Sequence, residues 1–181
     1  MIRILNIRLL TTVLLLVMTI SVSAKDKPQN SSITSKEYSS LYSLPKFERA
    51  VLLIKHCEGI HSKKEYPYVG YGHRIQPGEK LTSKITKRQA DSLLRSDLKK
   101  LCYLFRDYGS NTILLATLAY NCGHVSILGD KNKPESRLIQ KIKRGEKNIE
   151  NEYLTFCKWK GKVIPSIKRR RWMELKLLYS R

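Results

Sequence analysis

The sequence predicts an α+β fold that is mostly helical, with one small β element between the first helix and the rest. Three observations carry this reading. Apolar residues recur at three- and four-residue steps through most of the chain after Tyr42, one short stretch rich in Gly and Tyr interrupts that period, and no repeat of fixed length is present. A chain of 181 residues with 41% hydrophobic content can bury one core, and it is too short for two full-sized domains.

The N-terminus reads as an export signal. Arg3 and Arg8 precede an apolar run from Leu9 to Val22 that ends in Val22-Ser23-Ala24, so residues 1–24 form a signal peptide with cleavage expected after Ala24. The run is shorter than the roughly 20 apolar residues a spanning helix needs, so no stable membrane span is expected after cleavage. Residues 25–43 hold seven Ser or Thr in nineteen positions and are expected to be a flexible leader, leaving 44–181 as the folded domain. Loss of Arg3 and Arg8 takes the formal charge from +20 to +18. Export to the periplasm or the medium removes nucleic acid as a partner, and the expected counter-charge is an envelope polymer.

The first helix is predicted at 45–58. Phe47, Ala50, Val51, Ile54 and Cys57 make its apolar face, Pro45 suits the first turn, and Gly59 suits the stop. Tyr66-Pro67-Tyr68-Val69-Gly70-Tyr71-Gly72-His73 has β propensity and no helical period, which predicts a short hairpin. Thr86 with Gln89 forms a capping-box signature for a second helix at about 87–107, with Ala90, Leu93, Leu94, Leu98 and Leu101 inward. Residues 112–122 are apolar nearly all round, as a central core helix should be. After Gly123 come a loop, two short helices at about 135–144 and 147–158, and a last helix at 166–179. That helix has Ile167, Trp172, Leu175 and Leu178 on one face, and Lys168-Arg169-Arg170-Arg171 is expected to be its solvated basic side.

Cys57, Cys102, Cys122 and Cys157 are read in two ways: as disulfide partners, with three possible connectivities, or as small buried apolar residues. Their spacings of 45, 20 and 35 contain no close pair, which argues against a structural zinc site, and no metal is expected.

Glu58 continues the series Phe47, Val51, Ile54, so a carboxylate is aimed where the first helix meets the core. Burial at such a point disfavours the charged form of a carboxyl, which suits a general acid. His73 follows Gly70-Tyr71-Gly72, and a structural role is expected for it, held by Asp97 of the second helix. Tyr66, Tyr68 and Tyr71 could cover the apolar faces of sugar rings or pack in the core. Asn121 ends the buried helix and must find hydrogen-bond partners there.

Taken together, these residues resemble the bacteriophage-type lysozymes of glycoside hydrolase family 24, from about Phe47 to Leu178. Glu58-Gly59 followed by Gly70-Tyr71-Gly72-His73 resembles the family's catalytic Glu-Gly and its hairpin. Leu118-Ala119-Tyr120-Asn121-Cys122-Gly123 is similar to its aromatic-Asn-x-Gly helix end. Ser136-Arg137-Leu138, Gly145-Glu146, Trp159, Gly161 to Pro165, and Arg169-Arg170 with Glu174 follow in the family's order. The resemblance implies a lysozyme-like fold, with a hairpin lobe and a helical lobe flanking a cleft for peptidoglycan glycan strands. It implies a monomeric muramidase without cofactor in which Glu58 protonates the β-1,4 glycosidic oxygen between N-acetylmuramic acid and N-acetylglucosamine. Tyr68, Tyr71 and Asn121 are the expected substrate contacts, and Gly70, Gly72, His73 and Asp97 are expected to shape the site.

The departures from the family lie in the hairpin. Where the family supplies an Asp and then a Thr, residues 60–69 contain neither; Glu65 is the sole carboxylate and Tyr68 stands at the Thr position. Three mechanisms follow: Glu65 replaces the Asp, Glu58 works alone as in lytic transglycosylases, or the protein binds glycan without cleaving it. A cationic membrane-disrupting protein ranks last, because no long basic amphipathic segment stands apart from the core.

Overall fold

The computed structural model describes residues 40–180; the predicted signal peptide and the leader up to residue 39 lie outside the described residues. Residues 40–42 form a helical turn, and Leu41 is 1% exposed within the core. Burial of one Leu side chain contributes about 1.5–3 kcal/mol. The end of the expected leader therefore belongs to the folded body, and the reason is a single apolar side chain in a polar stretch.

Helix α1 runs Lys46–Glu58, entered from Pro45 and closed by Gly59, with Ala50, Val51, Leu53 and Ile54 buried. Strands β1 (Tyr68–Val69) and β2 (His73–Arg74) pair antiparallel in the register Tyr68 with Arg74 and Val69 with His73. The inward pair is Val69 and His73. Helix α2, Lys87–Leu104, starts at a complete capping box: Gln89 N donates to Thr86 Oγ1 at 3.2 Å and Thr86 N donates to Gln89 Oε1 at 2.8 Å. It ends three residues earlier than the sequence predicts, because Phe105 turns into the core and the chain continues as a 3-10 segment, Arg106–Asn111.

Helix α3, Thr112–Cys122, is the centre of the molecule. Every residue from Leu114 to Ala119 is buried, and the helix packs against α2, α1 and the last helix. The following stretch, predicted as loop, contains the short helix α4, Val125–Leu128, which forms because Ile127 enters the core. Helix α5, Arg137–Lys143, starts at Ser136, whose hydroxyl accepts from Ile139 N. The single helix predicted at 147–158 is instead α6, Glu150–Leu154, and a 3-10 turn at Thr155–Cys157. A second hairpin that the sequence reading lacks, β3 (Lys158–Trp159) and β4 (Lys162–Val163), leads into α7, Pro165–Leu178.

Helix α7 overturns the reading of the basic run. Lys168 and Arg169 are exposed, but Arg170 and Arg171 are 6% and 0% exposed, and Trp172, predicted inward, is 48% exposed. The four cysteines are free. Burial pushes the thiols of Cys57 and Cys122 up to about 11, which fits the reading of these two as apolar packing residues.

Candidate active site

Glu58 is the last residue of α1, one turn beyond the fully buried Ile54, and its side chain keeps 21% exposure. It does not sit in a purely apolar setting. Arg170 Nη1 donates to Glu58 Oε1 at 2.6 Å, and the same guanidinium donates through Nε to Glu174 Oε1 at 2.9 Å. Burial works against the Arg170 cation, yet Glu174 and Glu58 outweigh it and hold the group protonated beyond its ordinary range.

Glu174 is fully buried and would be costly alone. Three donors compensate it: Arg170, Arg171 through Nη1 to Oε2 at 2.5 Å, and Tyr153 Oη to Oε2 at 2.8 Å. Arg171 spends its remaining donors on Phe156 O, at 3.1 Å from Nε, and on Asn121 Oδ1 from Nη2. One chain of charge-assisted bonds thus joins the ends of α1 and α3 through α7. Its two cations and two carboxylates balance, so the cluster can remain buried.

On one side of this chain is a cavity of about 370 Å³, lined by Glu58, Asn121, Ser166, Arg169, Arg170 and Met173 among others. No residue of the β1–β2 hairpin lines this cavity, and the hairpin reaches Glu58 through Gly72. A side-chain carbon built on Gly72 would lie 3.9 Å from Glu58 Oε2, 3.7 Å from His61 Cε1 and 3.8 Å from Tyr120 Cε1. Those distances are ordinary contacts, so what calls for glycine at 72 is its φ of +96, and its backbone passes close to the carboxyl. Tyr120 Oη donates to Tyr71 O at 2.9 Å and ties the hairpin to α3; burial raises the Tyr120 pKa, and Asp97 and Glu58 add to that.

His73 is 5% exposed, with Nδ1 2.5 Å from Asp97 Oδ2 and Nε2 2.9 Å from Glu79 Oε2. Burial acts against its charged form, but the two carboxylates prevail and raise its pKa above the ordinary value. Gly70 packs on α2, where a side-chain carbon would meet Ala90 Cβ at 3.0 Å. Tyr68 is 44% exposed, its ring 6.4 Å from that of His61, which leaves it open to a ligand. Tyr71 instead packs partly against the core with Lys55 Nζ 5.5 Å over its ring. Asn121 is exposed at the cavity, with its oxygen committed to Arg171.

Glu65 is elsewhere. It sits in an exposed 3-10 turn, Lys63–Glu65, where its Oε2 accepts from Ser62 N and Ser62 Oγ, both at 2.6 Å. Those bonds lower its pKa and make it a cap for its own turn. Among the residues lining the cavity beside Glu58, no second carboxylate occurs.

Sequence reasoning missed Arg170, Arg171, Glu79 and His61. A signal for the arginines existed: Arg171 and Glu174 fall on the helical series Ile167, Arg171, Glu174, Leu178, and Arg170 and Glu174 are four apart. The arginines that pair with Glu174 are Arg170 and Arg171, whereas Arg169 is exposed. Glu79 had no comparable signal, since it reaches His73 through an irregular loop. Among the described residues no group of three or more His, Cys, Asp or Glu could hold a metal ion, and no helix is long and apolar enough to cross a membrane.

Compared with known proteins, the family model described as phage lysozyme matches residues 55–174, from the last turn of α1 to the buried Glu174. No curated protein matches the chain.

Proposed function

The chain belongs to the phage lysozyme family, a peptidoglycan-degrading group, and from that premise we propose that it is an exported muramidase with Glu58 as its general acid. The observation that carries this reading is the asymmetric hold on the Glu58 carboxyl: Oε1 is bound by Arg170, while Oε2 has no hydrogen-bond partner among the described residues and lies on the Gly72 side. A carboxyl fixed through one oxygen can present the other, with its proton, to a glycosidic oxygen bound between the hairpin and α7. Proton transfer to that oxygen accompanies cleavage of the C1–O bond, and the departing sugar takes the proton as its new hydroxyl hydrogen; a water oxygen then bonds to C1 and gives its proton back to the Glu58 carboxylate, which restores the acid. Asn121 at the cavity and the exposed Tyr68 of the hairpin are the glycan contacts of this reading, and Tyr71 acts through its backbone carbonyl by way of Tyr120.

A single-carboxylate mechanism is favoured by the commitment of Glu65 to Ser62. Two-carboxylate inverting hydrolysis keeps its carboxyls roughly 6.5–9.5 Å apart with a water between them, and no cavity residue offers a second carboxyl. The second reading is accordingly a lytic transglycosylase, in which the muramyl 6-hydroxyl replaces water as nucleophile. Arg3, Arg8 and the Leu9–Val22 run support export, and the charge of +18 after cleavage suits an anionic wall.

The test is Glu58→Gln on purified sacculi. Wall lysis is expected to vanish while wall binding persists; lysis at the wild-type level refutes every form of the proposal. Mass spectrometry of wild-type products then separates hydrolysis, with reducing ends, from transglycosylation, with anhydro ends one water lighter.

A further inference from the structure

Both tryptophans of the chain, Trp159 and Trp172, lie outside the core at 67% and 48% exposure. Neither has a role in the cavity beside Glu58. Trp159 stands on β3 directly across from Lys162 of β4, and Val163, 48% exposed, stands across from Lys158. This hairpin runs into α7, whose outward stripe at three- and four-residue steps is Lys168, Arg169, Trp172 and Lys176, all exposed. With Lys160 in the hairpin turn, the hairpin and the stripe together carry six exposed cations and three exposed large apolar side chains. The one acidic residue after Glu152 is Glu174, which is fully buried and already neutralised by Arg170 and Arg171.

Exposed Trp side chains are uncommon on surfaces that meet only water, and a soluble cation patch does not need them. Indole with its one N–H and large apolar ring settles at the headgroup level of a bilayer, and Lys beside it is drawn to anionic lipid. We propose that the β3–β4 hairpin and the outer stripe of α7 form a docking edge for an anionic phospholipid surface, with Trp159 and Trp172 at headgroup depth and the lysines over the phosphates. The partner is bound peripherally: the helix stays packed through Met173, Leu175, Leu177 and Leu178, so no apolar face is released for insertion. The edge adjoins the cavity at Arg169, so docking would hold the cleft near the membrane.

Because these are the chain's two tryptophans, intrinsic fluorescence reads the edge directly. With the full folded protein, mixed phosphatidylglycerol and phosphatidylcholine vesicles are expected to shift the emission to the blue and to carry the protein down on sedimentation. Phosphatidylcholine alone is expected to do neither, and roughly 1 M salt, where the screening length is about 3 Å, should reverse the binding. Lys160→Gln with Lys162→Gln should weaken partitioning roughly 25-fold, about fivefold for each cation, with an unchanged thermal midpoint. Trp159→Ala should remove the share of the blue shift due to Trp159 and leave that of Trp172. No binding to anionic vesicles, equal binding to neutral ones, or a fluorescence shift produced by purified sacculi and not by vesicles would each overturn the proposal, the last assigning the edge to the wall polymer.

Discussion

Arg170 Nη1 meets Glu58 Oε1 at 2.6 Å across 112 residues of sequence, so the first and last helices share one ion pair at the edge of the cavity. The contact ties the carboxyl to a guanidinium that Glu174 in turn fixes, and it gives the cleft a rigid side where the two helices meet.

The first prediction concerns that fork. Lys in place of Arg170 keeps the charge but cannot serve Glu58 and Glu174 in the same plane. Arg170→Lys is therefore expected to lower the rate of wall lysis by about 10²-fold, the size of effect produced by roughly 1 Å of misplacement. Arg170→Met should also cost about 3–5 kcal/mol of stability, because Glu174 loses one of its two buried cations. Lysis kinetics and denaturant unfolding measured on both variants check this; a fully active Arg170→Lys would remove Arg170 from the positioning of Glu58.

Two glycines of one hairpin should behave differently. A carbon added at Gly72 faces Glu58 Oε2, His61 and Tyr120 at 3.7–3.9 Å, within ordinary contact, whereas at Gly70 it meets Ala90 and Ile85 at 3.0–3.2 Å. Both positions have positive φ, so both Ala variants carry backbone strain. Gly70→Ala should add an overpacking cost of about 1–3 kcal/mol, and Gly72→Ala should lose proportionately more lysis than stability. Thermal melts beside activity assays distinguish the two.

His73 is expected to be structural. Its folded pKa is raised by Asp97 and Glu79 despite burial, and Lys100, 3.3 Å from Asp97 Oδ1, is the other charge facing the pair. A raised folded pKa means that the stabilisation is full below the ordinary histidine value near 6.5 and fades as pH rises through the folded value. The gap in melting temperature between wild type and His73→Asn should accordingly be widest in mild acid and narrow toward alkaline pH, with turnover little affected. A gap that widens with pH would contradict the assignment.

Glu65→Gln should leave lysis nearly unchanged, against the loss of about 10²–10⁴ expected for a general base. Its effect should be confined to the Ser62 turn, seen as faster proteolysis near Lys63 and Lys64. A loss of lysis in the range of a general base would restore Glu65 as the second carboxylate.

What the sequence determined by itself was what neighbours within four residues decide. Thr86 and Gln89 form their capping box because donor and acceptor lie three residues apart. Helix α3 is central because every turn of it is apolar, and Glu58 is aimed inward because the α1 stripe carries it there. Tertiary structure decided everything that depends on a partner far along the chain. Arg170 and Arg171 read as solvent-facing until Glu58, Asn121 and Tyr153 arrive from other elements to share their charge with Glu174. Leu41 reads as leader until the core receives it. The physical reason is that a helical period fixes which way a side chain points, but the free energy of burying it depends on what folding brings to it: apolar neighbours for Leu41, opposite charges and donors for the arginines.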